Sequence, residues 1–211
     1  MISLYQLKPA FQNLLRPGVK RLYEWGITAN MVTLTAMLVS VLLSMWLYHY
    51  YSNHFISYGL LIFPLWMLIR MAFNAIDGML AREFGQQSTL GAYYNELCDV
   101  VSDTALYLSL SCFSFIHSGL LGLVAFFAIL TEYTGVMAPL IGQQRRYDGP
   151  MGKSDRAFWF SALVVFICVY PFFSYDLRLL ANICNIVFLI MTGLLCFTIY
   201  NRIHLALKAA E

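Results

Sequence analysis

Charge is what this sequence has least of. Only 11% of its 211 residues are Asp, Glu, Lys or Arg, while 60% are apolar; a soluble domain carries about 25% charged residues. With a mean hydropathy of +0.68, that scarcity excludes an ordinary water-soluble globule and points to a chain that crosses a bilayer several times. Histidine is rare, and none of the four (His49, His54, His117, His204) lies in the polar middle of the chain, which argues against a zinc centre. The five cysteines, Cys98, Cys112, Cys168, Cys184 and Cys196, stand in apolar stretches with no C-x-x-C pair and read as buried thiols. The sequence shows no low-complexity linker, no internal repeat, and no charged n-region leading straight into an apolar core and a cleavage site. Neither a removable leader nor a nucleic-acid partner is expected.

What is present is a succession of long apolar runs. A helix needs about 20 apolar residues to cross the hydrocarbon core, and six segments qualify, at roughly 30–50, 57–78, 91–115, 119–142, 155–173 and 179–203. The expected fold class is an all-α polytopic membrane protein. With the N-terminus inside, every Lys and Arg except Arg178 falls on or near one side. The positive-inside rule makes that side, and both termini, cytoplasmic. Residues 1–28 read as a separate segment ahead of the six-helix domain, 29–211. In that segment Leu7, Phe11, Leu14, Leu15, Val19 and Leu22 recur at helical spacing beside Lys8, Arg16, Lys20 and Arg21. This pattern suits an amphipathic helix in the headgroup plane with its basic face toward anionic lipid. Pro17–Gly18 is expected to kink it.

Against this apolar background, residues 70–103 collect an unusual number of acids and amides. At about 100° per residue, Arg70, Asn74, Asp77, Gly78 and Ala81 share one face of the second span. Gly91, Asn95, Glu96, Asp99 and Asp103 share a face of the third. Successive spans joined by a short turn are expected to be antiparallel neighbours with these stripes facing. Converging carboxylates and carboxamides are hard oxygen ligands and suit Mg²⁺, Mn²⁺ or Ca²⁺. Gly78 and Ala81 keep the helix face low, and Arg82 stands where a phosphate could reach it.

The segment N-A-I-D-G-M-L-A-R (74–82), eight further residues, and G-A-Y-Y-N-E-L-C-D (91–99) resemble the signature of the CDP-alcohol phosphatidyltransferase family, D-x-x-D-G-x-x-A-R-x8-G-x-x-x-D-x-x-x-D. Every spacing matches. T-A-N-M-V-T-L-T (28–35) is similar to the segment that opens the family's first membrane helix. R-M-A-F-N-A-I-D-G-M-L-A-R-E (70–83), followed by N-E (95–96), most resembles an enterobacterial inner-membrane subgroup whose members carry a similar R-M-A-x-N-A-x-D-G-M-L-A-R-E and L-N-E pattern. The resemblance implies transfer of a phosphatidyl group from a CDP-linked lipid, usually CDP-diacylglycerol, to an alcohol, with release of CMP, in phospholipid biosynthesis. It also implies a multi-pass protein of the bacterial inner membrane, commonly a homodimer, that uses Mg²⁺ or Mn²⁺. Carried over by position, Asp77 is a metal ligand and Asp99 is the base and a possible ligand. Asn30, Thr33, Asp77, Gly78, Ala81, Arg82 and Gly91 border the CDP.

The sequence departs from the signature where Asn74 and Asn95 replace acids. Four acids would nearly neutralise two divalent cations; Asp77 and Asp99 alone leave a formal +2. Glu96, beside Asn95, is a candidate replacement ligand. Asp103 and Arg70, both deeper in the membrane, are expected to form a structural ion pair. Glu132 is expected to pair with Arg70 or a tyrosine hydroxyl, or to line the acceptor pocket. The loop 142–156 carries Arg145, Arg146, Lys153 and Arg156. These suit an anionic acceptor such as a phosphorylated alcohol, but topology alone would also place positive charge there. The alternatives to an active transferase are a catalytically weakened CDP-lipid-binding protein and, less in keeping with the G-x-x-A-R spacing, a small transporter.

Overall fold

The structure is a computed structural model that describes the backbone of residues 4–210 and the side chains of residues 11–210. The side chains of Leu7 and Lys8 therefore lie outside the described residues. Every regular element among them is helical: α1 (Leu4–Glu24), α2 (Ala29–Tyr51), α3 (Ile62–Glu83), α4 (Thr89–Ser109), α5 (Ser118–Met137), α6 (Lys153–Val169) and α7 (Leu177–Lys208). Short 3₁₀ turns precede α3 and follow α4, α5 and α6.

Helix starts follow local chemistry. The Thr28 hydroxyl accepts from Met31 N at the head of α2, Ser88 Oγ from Gly91 N at the head of α4, and Asp176 Oδ1 from Arg178 N and Leu179 N at the head of α7. Each satisfies an amide that has no partner inside its helix. α1 runs as one helix through Pro17 and Gly18.

Five segments are long and apolar enough to cross a membrane: Ala29–Tyr51, Tyr58–Glu83, Ser118–Ile141, Lys153–Phe172 and Leu177–Lys208. α4 differs from them because it carries Glu96, Asp99 and Asp103. The helices extend beyond the apolar runs for reasons of packing. α3 continues to Glu83 because Met79 and Leu80 are buried with Val19 of α1 and Ala29 and Val32 of α2. α7 continues to Lys208 because Arg202 and Ala206 are still buried beyond the lipid-length stretch.

α2 is the central packing element. It lies against both α3 and α4, and its buried stripe is rich in small residues, Ala29, Thr33, Ala36, Ser40 and Ser44. Small residues let two helices approach closely where lipid supplies no hydrophobic drive between them. The hydroxyls are satisfied within the helix: Ser40 Oγ donates to Ala36 O and Ser44 Oγ to Ser40 O, both at 2.6 Å. α3 and α4, although consecutive, make hardly any close backbone contact with each other. They are not the packed neighbours that the short turn suggested: α2 packs against both, and a gap remains between them at the end where α3 finishes and α4 begins. The larger apolar core lies toward the other end and includes Phe63, Leu106, Tyr107, Phe160 and Phe188; Tyr107 stacks on Phe160 at 3.9 Å.

Candidate active site

The gap between α3 and α4 is an open cleft of about 750 Å³. α2 contributes Asn30 and Thr33, α3 contributes Asp77, Gly78, Ala81 and Arg82, and α4 contributes Gly91, Asn95 and Glu96. Arg145 and Tyr147 close one side, with the Arg145 guanidinium 4.7 Å over the Tyr147 ring. Asp77 is only 5% exposed, and the Thr33 hydroxyl donates to its Oδ2 at 2.8 Å. Both glycines leave room for a neighbouring side chain. A Cβ on Gly78 would sit 2.6 Å from Arg82 Nη2, so the bare backbone lets that side chain fold back over the helix. A Cβ on Gly91 would sit 2.8 Å from Asn30 Oδ1 and 2.9 Å from Ser88 Oγ. Gly91 therefore lets the head of α4 close against the head of α2. Gln86 adds a further tie, its Oε1 accepting from Ala29 N at 2.7 Å.

Asn74 is half-buried one turn deeper than Asp77 and does not border the cleft; Asn95 does. Asp99 lies one turn beyond Asn95, and Asp77 is within electrostatic reach of both Asp99 and Lys153. Asp99 already has cationic company: Lys153 Nζ contacts Oδ2, and Arg70 Nη2 is 3.4 Å from Oδ1.

Behind Asp99 the charges join into one continuous set. Arg70 Nη1 is 2.5 Å from Asp103 Oδ1, and Arg156 Nη2 is 3.4 Å from Asp103 Oδ2. Arg156 Nη2 also lies 2.9 Å from Glu132 Oε1 and Nη1 donates to Thr131 Oγ1 at 3.1 Å. Arg145 joins Glu132 Oε2 at 3.1 Å and contacts Glu96 through its other amino group. Signs alternate along the path Glu96, Arg145, Glu132, Arg156, Asp103, Arg70, Asp99, Lys153. Buried charges persist when they are paired in this way.

Several expectations are corrected by this geometry. Glu132 meets neither Arg70 nor, among the described residues, a tyrosine hydroxyl; its partners are Arg145, Arg156 and Arg202. Arg156 is 1% exposed rather than part of a surface loop. Arg146 pairs with Asp148 at 2.8 Å. Two residues had no sequence signal beyond topology. Arg202 is 2% exposed and donates to Thr131 O and Asp148 O. Gly135 is what lets the 142–156 loop approach, since a Cβ there would lie 2.6 Å from Arg146 O and 3.0 Å from Arg202 Nη1.

The family model for CDP-alcohol phosphatidyltransferase matches residues 26–200, a range that includes both walls of the cleft and all of the charge network except Arg202. The chain belongs to the CDP-alcohol phosphatidyltransferase family. The inner membrane protein YnbA of Escherichia coli K12 is 43% identical over 201 residues, 95% of this chain and 94% of that protein. An archaetidylinositol phosphate synthase of Pyrococcus horikoshii is 24% identical over 153 residues, 72% of this chain and 77% of its own. The fold matches that of the Mycobacterium tuberculosis phosphatidylinositol phosphate synthase PgsA1. Its complex with manganese and citrate has a TM-score of 0.72 at 18% identity, covering 90% of this chain and 87% of that one. Its CDP-DAG-bound form has a TM-score of 0.70 at 19% identity, covering 90% and 92%. This family member is thus a membrane protein in which six of the signature positions, Asp77, Gly78, Ala81, Arg82, Gly91 and Asn95, line the α3–α4 cleft.

Proposed function

We propose that this family member transfers a phosphatidyl group from CDP-diacylglycerol to an alcohol and releases CMP, as a step of phospholipid biosynthesis in a bacterial inner membrane. The observation that carries the reading is the cleft itself, which gathers Asn30, Thr33, Asp77, Gly78, Ala81, Arg82 and Gly91 on one surface. A nucleotide diphosphate needs low backbone, a cation and acidic oxygens close together, and this surface supplies all three. CDP-DAG is bound by the PgsA1 neighbour of the same fold.

The donor set fits a hard divalent cation. Asp77 and Asp99 bring two carboxylates and Asn95 a neutral amide oxygen, with Asn74 one turn deeper; no group of three His, Cys, Asp or Glu side chains is gathered among the described residues. Two carboxylates balance one Mg²⁺ or Mn²⁺. Glu96, on the cleft wall, adds a third when Arg145 releases it. Such a cation supplies charge neutralisation for the pyrophosphate and the departing CMP. The chain's own residues do the rest. Arg82 and the bare backbone at Gly78 hold the diphosphate. Asp99 takes the proton of the acceptor hydroxyl as that oxygen bonds to the phosphorus bearing the diacylglycerol; the bond from this phosphorus to the bridging oxygen breaks, and the oxygen leaves with CMP. Lys153 and Arg70 hold the Asp99 carboxylate in place. Two relatives are named as synthases of inositol phosphate lipids, so a phosphorylated alcohol is one acceptor class and a neutral one the other.

The reading includes a topology. α4 is the sixth span: its 21 residues reach about 31 Å, its acids are neutralised by Arg70, Lys153 and Arg156, and an even number of spans puts the basic residues near both termini on the cytoplasmic side. α1 lies at that interface as the 1–28 segment, docked on the 29–211 domain through Val19, which is fully buried.

Purified protein incubated with CDP-diacylglycerol, Mn²⁺ and a panel of alcohols should release CMP, and a chelator should stop it. The second reading, a CDP-lipid-binding protein with little turnover, is favoured by the amides at 74 and 95 and by the two cations on Asp99. Saturable CDP-diacylglycerol binding with no CMP release from any alcohol would establish that reading instead.

A further inference from the structure

Three guanidinium groups from three parts of the chain converge on one carboxylate. Arg156 Nη2 and Arg202 Nη1 lie 2.9 Å and 3.8 Å from Glu132 Oε1, and Arg145 Nη2 lies 3.1 Å from Oε2. Glu132 is 9% exposed, Arg156 1% and Arg202 2%. Such a ring of guanidiniums is what a doubly charged phosphate finds in a binding site. Here a side chain of the protein itself fills it.

Glu132 also stands on the wall of a small crevice that Asp99 shares, bounded further by Asp103, Lys153 and Arg156. At about 10 Å³ it admits one hydroxyl-sized group, and Lys153, which reaches across to Asp99, is its most exposed charged wall, with 30% of its side chain open to solvent. On the transferase reading, an acceptor hydroxyl must reach Asp99 from this side, because the cleft that suits CDP lies a turn earlier on α4. Four acids (Glu96, Asp99, Asp103, Glu132) and five bases (Arg70, Arg145, Lys153, Arg156, Arg202) make up the whole set.

We infer that Glu132 determines acceptor specificity: its carboxylate stands where the phosphate of a phosphorylated acceptor would be held, so the acceptor is an uncharged alcohol. The inference rests on the transferase reading of the same site. Its test uses full-length protein in lipid nanodiscs with CDP-diacylglycerol and Mn²⁺, comparing glycerol with glycerol 3-phosphate and inositol with inositol phosphate by CMP release. In wild type, kcat/KM for a neutral alcohol should exceed that for its phosphorylated partner by about tenfold or more, and Glu132→Gln should shift the ratio about tenfold toward the phosphorylated one. Independently of turnover, millimolar inorganic phosphate should raise the Tm of Glu132→Gln and leave that of wild type unchanged. A wild-type preference for phosphorylated acceptors, or saturable stabilisation of wild type by phosphate, would overturn the inference, and neither measurement needs a variant that folds. An unchanged ratio in a folded Glu132→Gln protein would overturn it too. If no alcohol supports CMP release, the transferase reading fails, and the phosphate titration still decides whether Glu132 holds the anion position.

Discussion

The cleft between α3 and α4 and the charge network behind Asp99 are adjacent, polar and built on opposite plans. In the cleft, polar groups are left open. Arg82 is exposed, Asp77 is met by a single hydroxyl from Thr33, and glycine takes the place of side chain at 78 and 91. In the network, nearly every charge is consumed by another of the same chain, and Arg156 and Arg202 are sealed from solvent. The difference teaches how to tell a ligand's surface from the scaffold that supports it in a chain with few charges. Groups meant for a ligand are under-partnered and sit beside bare backbone. Groups meant for the fold are over-partnered and come from distant positions.

Substitutions can break or sharpen that contrast. The largest effect is expected at the junction of the two regions: Asp99→Asn should lower CMP release by about 10²–10⁴-fold, with the folded protein still recovered at wild-type yield, as size-exclusion chromatography and a thermal melt would show. Within the network the loss should be of stability instead. Arg156→Met removes one of two cations from Asp103, which keeps Arg70, and one of three from Glu132, which keeps Arg145 and Arg202; it should cost about 1–3 kcal/mol in a denaturant titration, and a near-neutral result would mean that Arg156 is dispensable to the network. Gly91→Ala tests whether the cleft depends on shape. Its Cβ must displace Asn30, and the expected cost is about 1–3 kcal/mol with a raised KM for CDP-diacylglycerol. Glu96→Gln should weaken Mn²⁺ binding, read by electron paramagnetic resonance, by less than Asp77→Asn does; equal Mn²⁺ affinity in Glu96→Gln and wild type would leave Glu96 as a partner of Arg145 only. The smallest effect belongs to Arg16→Ala, which removes a 3.0 Å pair with Glu83 between two well-exposed side chains; exposed pairs contribute little, and the Tm should be unchanged.

The sequence made the cleft legible because its residues are close together in the chain. Gly78, Ala81, Arg82 and Gly91 fall within one short segment at helical spacing, and each meets the cleft. Long apolar runs likewise located the helices, and the misplaced ends at Glu83 and Lys208 reflect burial against other helices that no local pattern encodes. What the sequence hid was pairing at a distance. Arg156 meets Asp103 from 53 positions away and Glu132 from 24, while Arg202 reaches back 71 to Thr131 O. An arginine beside a membrane boundary reads as a topology signal whether it ends up at the surface or in the core. The gap between α3 and α4 was hidden for a related reason: a short connection implies adjacency, and only the close fit of the small residues of α2 explains why another helix packs against both.

Arg145 stands with one amino group on Glu96, at the edge of the cleft, and the other on Glu132, beside the crevice. A donor phosphate that recruits this guanidinium takes a counter-charge from Glu132, and whatever fills the crevice alters in turn how firmly Arg145 can serve the donor. On the proposed transferase reading, a donor in the cleft and an acceptor in the crevice would share this one side chain, and each would scale the binding affinity of the other by one common factor.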